Sequence, residues 1–327
     1  MLGISKHLNK FSSLIIESGV MIGIPRLVGY IFTVSFFTLL ITSIFATQIL
    51  LAYAQVNVNP KYNTTDSNST QNNISLIAKI LTKNLENHLQ KAGAILEITS
   101  TLPQVRNVSS AHFLNQTLDT LHGIPKDADI QKRQVAQSIL SKYKELEIII
   151  FIMPNGDICF DEPYSKQLIS TTTNLAFRDY FKGVTRTNDI YLGDPTPSAS
   201  SGQLQSVIAI PVYSLKDNST VIGGGIDFNV LNKELQSLNI TSLDNNTRVV
   251  YVGHNGQKVA DSDMNKTETP ESFATLNSFK NAINGQSGSI TDMIDNTKML
   301  VTYQPVNAFH NTWVVLLMQP IPPAPSQ

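Results

Sequence analysis

Cysteine is nearly absent: Cys159 is the one thiol in 327 residues. No internal disulfide framework and no cysteine-based zinc cluster can be built from it. It stands in the apolar run Asp157-Ile158-Cys159-Phe160 and is expected to be a small buried core residue. Charge is also scarce, at 15% of residues with a formal net charge of −1. No basic run or stripe exists, so the electrostatic footprint of a nucleic-acid binder is missing. The six histidines show no metal-ligand spacing, and neither metal nor cofactor is expected. Gly-x-Ser-x-Gly, Gly-x-x-x-x-Gly-Lys-Ser/Thr and His-Glu-x-x-His are all absent. The acid pairs Asp161/Glu162 and Asp292/Asp295 read as solvated turn residues rather than an acid/base couple. A non-enzymatic chain is therefore expected.

What the sequence does have is a strong N-terminal signal. Residues 1–26 form a basic region, with Lys6, Lys10 and Arg26 against Glu17. Leu27 to Gln55 then carries no charge and is long enough to cross a bilayer as a helix. Residues 27–54 are read as a signal peptide or an N-terminal transmembrane anchor. Ala52-Tyr53-Ala54 offers a small-x-small cleavage pattern, and either Met1 or Met21 serves as the start. The positive flank places everything after it outside the cytoplasm, secreted or anchored at the cell surface. Residues 55–72 are an Asn/Ser/Thr linker without apolar period. Sequons at Asn63, Asn68, Asn73, Asn107, Asn115, Asn218, Asn239, Asn245 and Asn265 agree with a glycosylated exterior.

From Ile74 the pattern turns helical. Ile77, Ile80/Leu81, Leu85, His88/Leu89, Ala92 and Leu96 recur at three and four, up to a stop at Pro103. A helix of about 25 residues spans nearly 40 Å, more than one small domain needs. It is expected to be a spine, and a homodimer through it is open. A second helical run covers Asp129–Tyr143. Leu146–Met153 reads as a central strand, Pro154-Asn155-Gly156-Asp157 as a turn, and Asp157–Asp161 as the returning strand. Strand-like runs follow at Gln205–Tyr213 and Thr220–Phe228, and a helix at Val230–Leu238. Arg248–Gly253, His254-Asn255-Gly256 and Gln257–Ala260 repeat the strand–turn–strand order, so two related modules are expected. A helix at Phe273–Ile283, a hairpin across Asp295-Asn296 and a buried strand Thr312–Met318 complete it. Gly223-Gly224-Gly225 reads as a bulge or a close backbone approach.

The stretch Asn174–Phe228 holds the candidate site. Phe177-Arg178-Asp179-Tyr180-Phe181 sets one guanidinium among aromatic rings, and a planar fork matches a carboxylate. A polar loop, 194–203, follows, and the strand Thr220–Phe228 ends on Asp227. On residue types alone, a structural ion pair for Arg178 is the commoner outcome.

The order of these pieces resembles the double Cache (dCache) family of extracellular sensory domains. Carrying the resemblance are Leu102-Pro103-Gln104-Val105, Arg178-Asp179-Tyr180-Phe181, Val207–Val212, Gly223–Phe228, Gly285–Gly288, Tyr303–Val306 and Trp313–Val315. It implies an α+β fold in which a long N-terminal helix packs beside two stacked PAS-like modules with mainly antiparallel sheets. The spine and membrane-distal module would cover 73–240, the membrane-proximal module 241–320, and a Pro-rich tail 321–327. It implies a small-molecule ligand, an amino acid or carboxylate, bound in the distal module. Arg178 would take the carboxylate and Asp227 an amine, with Tyr180, Phe181 and Tyr191 lining the pocket under loop 194–203. Tyr180 and Phe181 stand where the amino-acid-binding members have Trp and Tyr, and Thr173 and Thr196 where they have Tyr. Family receptors continue into an output domain, which this sequence does not contain, so a membrane signalling partner is implied. The alternative expectation is a glycosylated surface or interaction protein with a vestigial pocket.

Overall fold

The computed structural model describes residues 67–107, 111–213, 220–237 and 247–321. The basic region 1–26, the segment 27–54, most of the linker and the tail after Ile321 lie outside these residues. Among the described residues no helix is long and apolar enough to cross a membrane.

Helix α1 (Ser67–Thr101) is 35 residues long, about 52 Å at 1.5 Å per residue. It starts earlier than the composition of the linker implied, because neither Gly nor Pro stands between Pro60 and Gly93. Its seam of Ile74, Ile77, Leu81, Leu85, Leu89, Ala92 and Leu96 is buried, as the spacing predicts. Short helices α2 (Pro103–Arg106) and α3 (Leu114–Leu121) lead to α4 (Ile130–Lys142).

Two five-stranded sheets pack along α1. The first contains β1 (Leu146–Ile152) and β2 (Ile158–Glu162), followed by helices α5 (Tyr164–Leu168) and α6 (Asp179–Thr187). Then come β3 (Tyr191–Leu192), the small ribbon β4 (Thr196–Pro197) and β5 (Leu204–Gln205), β6 (Val207–Val212) and β7 (Thr220–Ile226). Its order is β2-β1-β7-β6-β3, antiparallel throughout. After α7 (Phe228–Ser237) the second sheet follows. It holds β8 (Arg248–Val252), β9 (Lys258–Asp261), β10 (Gly288–Ile294), β11 (Thr297–Ala308) and β12 (Asn311–Pro320), in the order β10-β11-β12-β8-β9. Helix α8 (Asn277–Ile283) covers it.

Helix α8 begins four residues later than Phe273. The N–H of Phe273 is committed to the carbonyl of Gly256 (2.8 Å), and Leu276 is extended. The Gly223–Gly225 run is no bulge: it pairs regularly with β1 and β6. The close approach is real, however, because a Cβ on Gly224 would meet Leu96 of α1 at 2.9 Å. The register shift in this pair lies opposite, on β1 between Leu146 and Ile148.

The hairpins β1–β2 and β8–β9 share one register. Ile150 faces Asp161 as Val250 faces Asp261, and each has a shift at the next-to-last pair. Both turn on Asn-Gly, with Gly156 at φ +91° and Gly256 at φ +81°. Any other residue would be strained there, and a Cβ would strike Ala176 or Ala274.

Candidate functional site

A small cavity lies on the face of the first sheet turned away from α1. Ile148 and Ile150 of β1, Ile158 and Asp161 of β2, and Val207 form its floor. Loop residues Thr196 to Ser200 and the segment around Arg178 close it, leaving about 30 Å³, room for about two waters. The loop is held by the carbonyl of Ala199, which accepts the backbone N–H of Thr171 at 2.8 Å and its hydroxyl at 3.0 Å.

Arg178 stands just before α6, in extended backbone. Its Nη1 donates to Thr196 Oγ1 at 3.2 Å, and its guanidinium lies 4.9 Å from the ring centre of the exposed Phe177. No carboxylate among the described residues pairs with it. The structural ion pair that residue types alone favour is not formed.

Asp161 brings a second charge to the cavity. The expectation that Asp161 and Glu162 are solvated turn residues is overturned: they are 3% and 2% exposed. Both sit inside β2, whose five residues are all buried. Glu162 is accounted for by Arg133 Nη1 at 2.8 Å and Gln137 at 3.1 Å. Asp161 Oδ1 is enclosed without any hydrogen-bond partner among the described residues. Burial pushes its carboxyl up to about 7, against the opposing pull of Arg133 and with some help from Glu162. Asp292 is likewise no turn residue: it is buried, and Oδ2 accepts the N–H of Ser278 at 2.9 Å at the start of α8.

The dCache_1 family model, a Cache domain, matches residues 63–324. The chain belongs to the Cache domain family. Cache domains are ligand-binding sensory domains rather than enzymes. Solved structures agree on the fold. The ligand-binding domain of the Pseudomonas fluorescens chemoreceptor CtaA, in complex with L-isoleucine, is 12% identical with a TM-score of 0.53, covering 78% of this chain and 93% of that one. The extracellular domain of the putative histidine kinase rpHK1S-Z16 is 13% identical with a TM-score of 0.56, covering 78% and 95%. The domain of the Pseudomonas aeruginosa PAO1 amino-acid chemoreceptor PctC, in complex with GABA, is 15% identical with a TM-score of 0.52, covering 76% and 99%. No curated protein matches the chain in sequence.

Of the residues singled out in the sequence, Arg178 and Tyr180 line the cavity of this Cache domain. The Tyr180 phenol is almost fully buried, which pushes its pKa up. Phe181 turns into the core of the same module. Tyr191 lies against Gly183 of α6, with its ring nearly parallel to that of His310 at 6.4 Å. Asp227 is not part of the lining. Its Oδ1 accepts the N–H of Asn229 at 2.9 Å, and its own N–H donates to Glu145 O at 3.0 Å, so it caps the start of α7. On β7 the residues turned to the lining are Gly223, where a Cβ would meet Val207 at 3.0 Å, and Gly225, where it would meet Ile148 at 2.5 Å and Gln205 at 2.6 Å. Sequence reasoning thus missed Asp161. The signal was available in the internal repeat, at its counterpart Asp261. Among the described residues no cluster of His, Cys, Asp and Glu could hold a metal.

Proposed function

We propose that this Cache domain works outside the cytoplasm, secreted or anchored through 27–54, and captures a small carboxylate-bearing metabolite, an amino acid or another small acid. Arg178 is the clamp. The observation that carries the reading is a guanidinium at the cavity wall whose one hydrogen-bonding partner among the described residues is the neutral Thr196 hydroxyl. A carboxylate would form charge-assisted bonds to the donors left over. Tyr180 walls the site, and loop 194–203 moves outward to admit a ligand larger than the present cavity. The solved relatives' named amino-acid complexes support the ligand class.

Calorimetry of the full chain against L-amino acids and small carboxylic acids tests this. A ligand should bind, and Arg178→Ala should weaken it about 10- to 100-fold, the loss of one charge-assisted pair. Affinity that survives the substitution removes Arg178 from the site.

One observation favours a second reading, a glycosylated surface protein with a vestigial pocket: the cavity is only about 30 Å³. Failure of every acid in the panel to bind would favour it.

A further inference from the structure

The two hairpins carry the same carboxylate in opposite circumstances. Asp161 and Asp261 occupy one register position, opposite Ile150 and Val250. In the second module Asp261 is satisfied from within. Arg248 Nε donates to its two oxygens at 3.1 and 3.2 Å, and Lys258 Nζ donates to Oδ2 at 3.2 Å. Glu271 joins the same network through Arg248 and Lys258. In the first module those places hold no charge. Ile148 stands for Arg248 and Ile158 for Lys258. Thr173 stands for Glu271: its carbonyl accepts the N–H of Ile158 at 2.9 Å, as that of Glu271 accepts the N–H of Lys258 at 2.9 Å.

The exchange runs the other way across the cavity. Leu276 of the second module bonds back to Phe273 and starts α8 from an extended backbone. Arg178 does the same with Leu175 ahead of α6. So the first module has lost the cations that neutralise its carboxylate and gained one at the covering segment. Ile148, Ile158, Asp161 and Arg178 all line the cavity. The result is a carboxylate with one enclosed oxygen that has no hydrogen-bond partner, and a guanidinium without an ion-pair partner among the described residues, facing a shared space.

We infer that Asp161 receives the cationic end of the ligand whose carboxylate Arg178 holds, so that the site selects a small zwitterion over the corresponding acid. The ligand ammonium takes the place that the Lys258 ammonium fills in the second module. This rests on the carboxylate clamp proposed above and assigns the amine end to Asp161 instead of Asp227. A buried ammonium–carboxylate pair needs close geometry to offset its desolvation, and an enclosed oxygen with no other partner supplies one half of it.

The test uses calorimetry on the full chain with each L-amino acid beside the acid lacking its amino group. At least one zwitterion should bind about tenfold or more tighter than its deaminated acid. Asp161→Asn should bring the two to within about twofold of each other, while Asp227→Asn leaves the preference intact. A preference that survives Asp161→Asn, or vanishes in Asp227→Asn, overturns the inference. An acid held through Arg178 with no preference for the zwitterion overturns it too, and leaves the carboxylate clamp standing. No binding of either series overturns both.

A second variant guards against loss of fold. Ile158→Lys copies Lys258 into the first module. It should fold, pair with Asp161 and abolish zwitterion binding. Combined with Asp161→Asn, the new ammonium loses its partner and the melting temperature should drop below that of either single variant. Additive melting temperatures would show that the carboxylate does not accept a cation there.

Discussion

Asp161 pays for its position in the fold. A carboxylate with one oxygen enclosed and unpartnered must either keep its proton or carry a buried charge. Its folded pKa of about 7 lies above the ordinary 3.8. The stability tied to that proton is therefore complete below about pH 4 and is lost as pH rises through 7. Arg133 and Glu162 are the charged groups that act on it, in opposite senses. Asp161→Asn has no charge to bury at any pH. Ligand-free, it should match the wild type near pH 4 and gain about 2–4 kcal/mol on it at pH 8. Urea unfolding at the two pH values measures this; an equal difference at both would mean that the Asp161 carboxyl titrates alike in the folded and unfolded chain. Its burial was hard to read in the sequence. All of Ile158–Glu162 is enclosed, so the alternation that would separate an inward from an outward acid is missing. Arg178 was legible because a lone cation among aromatic rings is itself unusual, whereas its freedom from a partner depends on contacts distant in sequence.

Among the elements, α6 depends on a residue with no side chain. The Tyr191 ring lies flat on Gly183, where a Cβ would run into it. Gly183→Ala gains helix propensity worth about 1 kcal/mol, yet overpacking against a rigid ring should cost about 1–3 kcal/mol. The net effect expected is a lower melting temperature, which scanning calorimetry checks; a rise would mean that Tyr191 moves aside freely. Elements with a strong period or an unambiguous turn were legible: the seam of α1, the Asn-Gly hairpins and the β10–β11 turn at Asp295-Asn296, both at positive φ. The starts of α1 and α8 were not. The first follows from the absence of a helix breaker rather than from any apolar repeat, and the second from a backbone bond to Gly256 that no local pattern announces.

Across the described residues, α1 is the common support of both sheets, and a second set of contacts ties loop 194–203 and the strand before it to the second module. Asn255 Nδ2 donates to the carbonyl of Pro195 at 2.8 Å, and Asn311 Nδ2 to that of Leu192 at 2.9 Å. The N–H of Leu192 donates to Phe309 O at 3.1 Å. Asn311→Ala removes a buried donor and should cost about 1–2 kcal/mol. It should also speed amide exchange in 194–203 relative to the β1–β7 ladder, measured by hydrogen–deuterium exchange. Equal rates in wild type and variant would show that the loop is held from its own module alone.

That tethering gives loop 194–203 a mechanical connection to the second module. The loop is a lever with its tip over Asp161 and its fulcrum on the β8–β9 turn and the head of β12. Lifting the tip would load the second module through these bonds, worth about 1 kcal/mol each. The bias carried by the three bonds named above is about 3 kcal/mol, a population change of about 150-fold. Affinity beyond that reaches the far sheet by way of α1, which both sheets share.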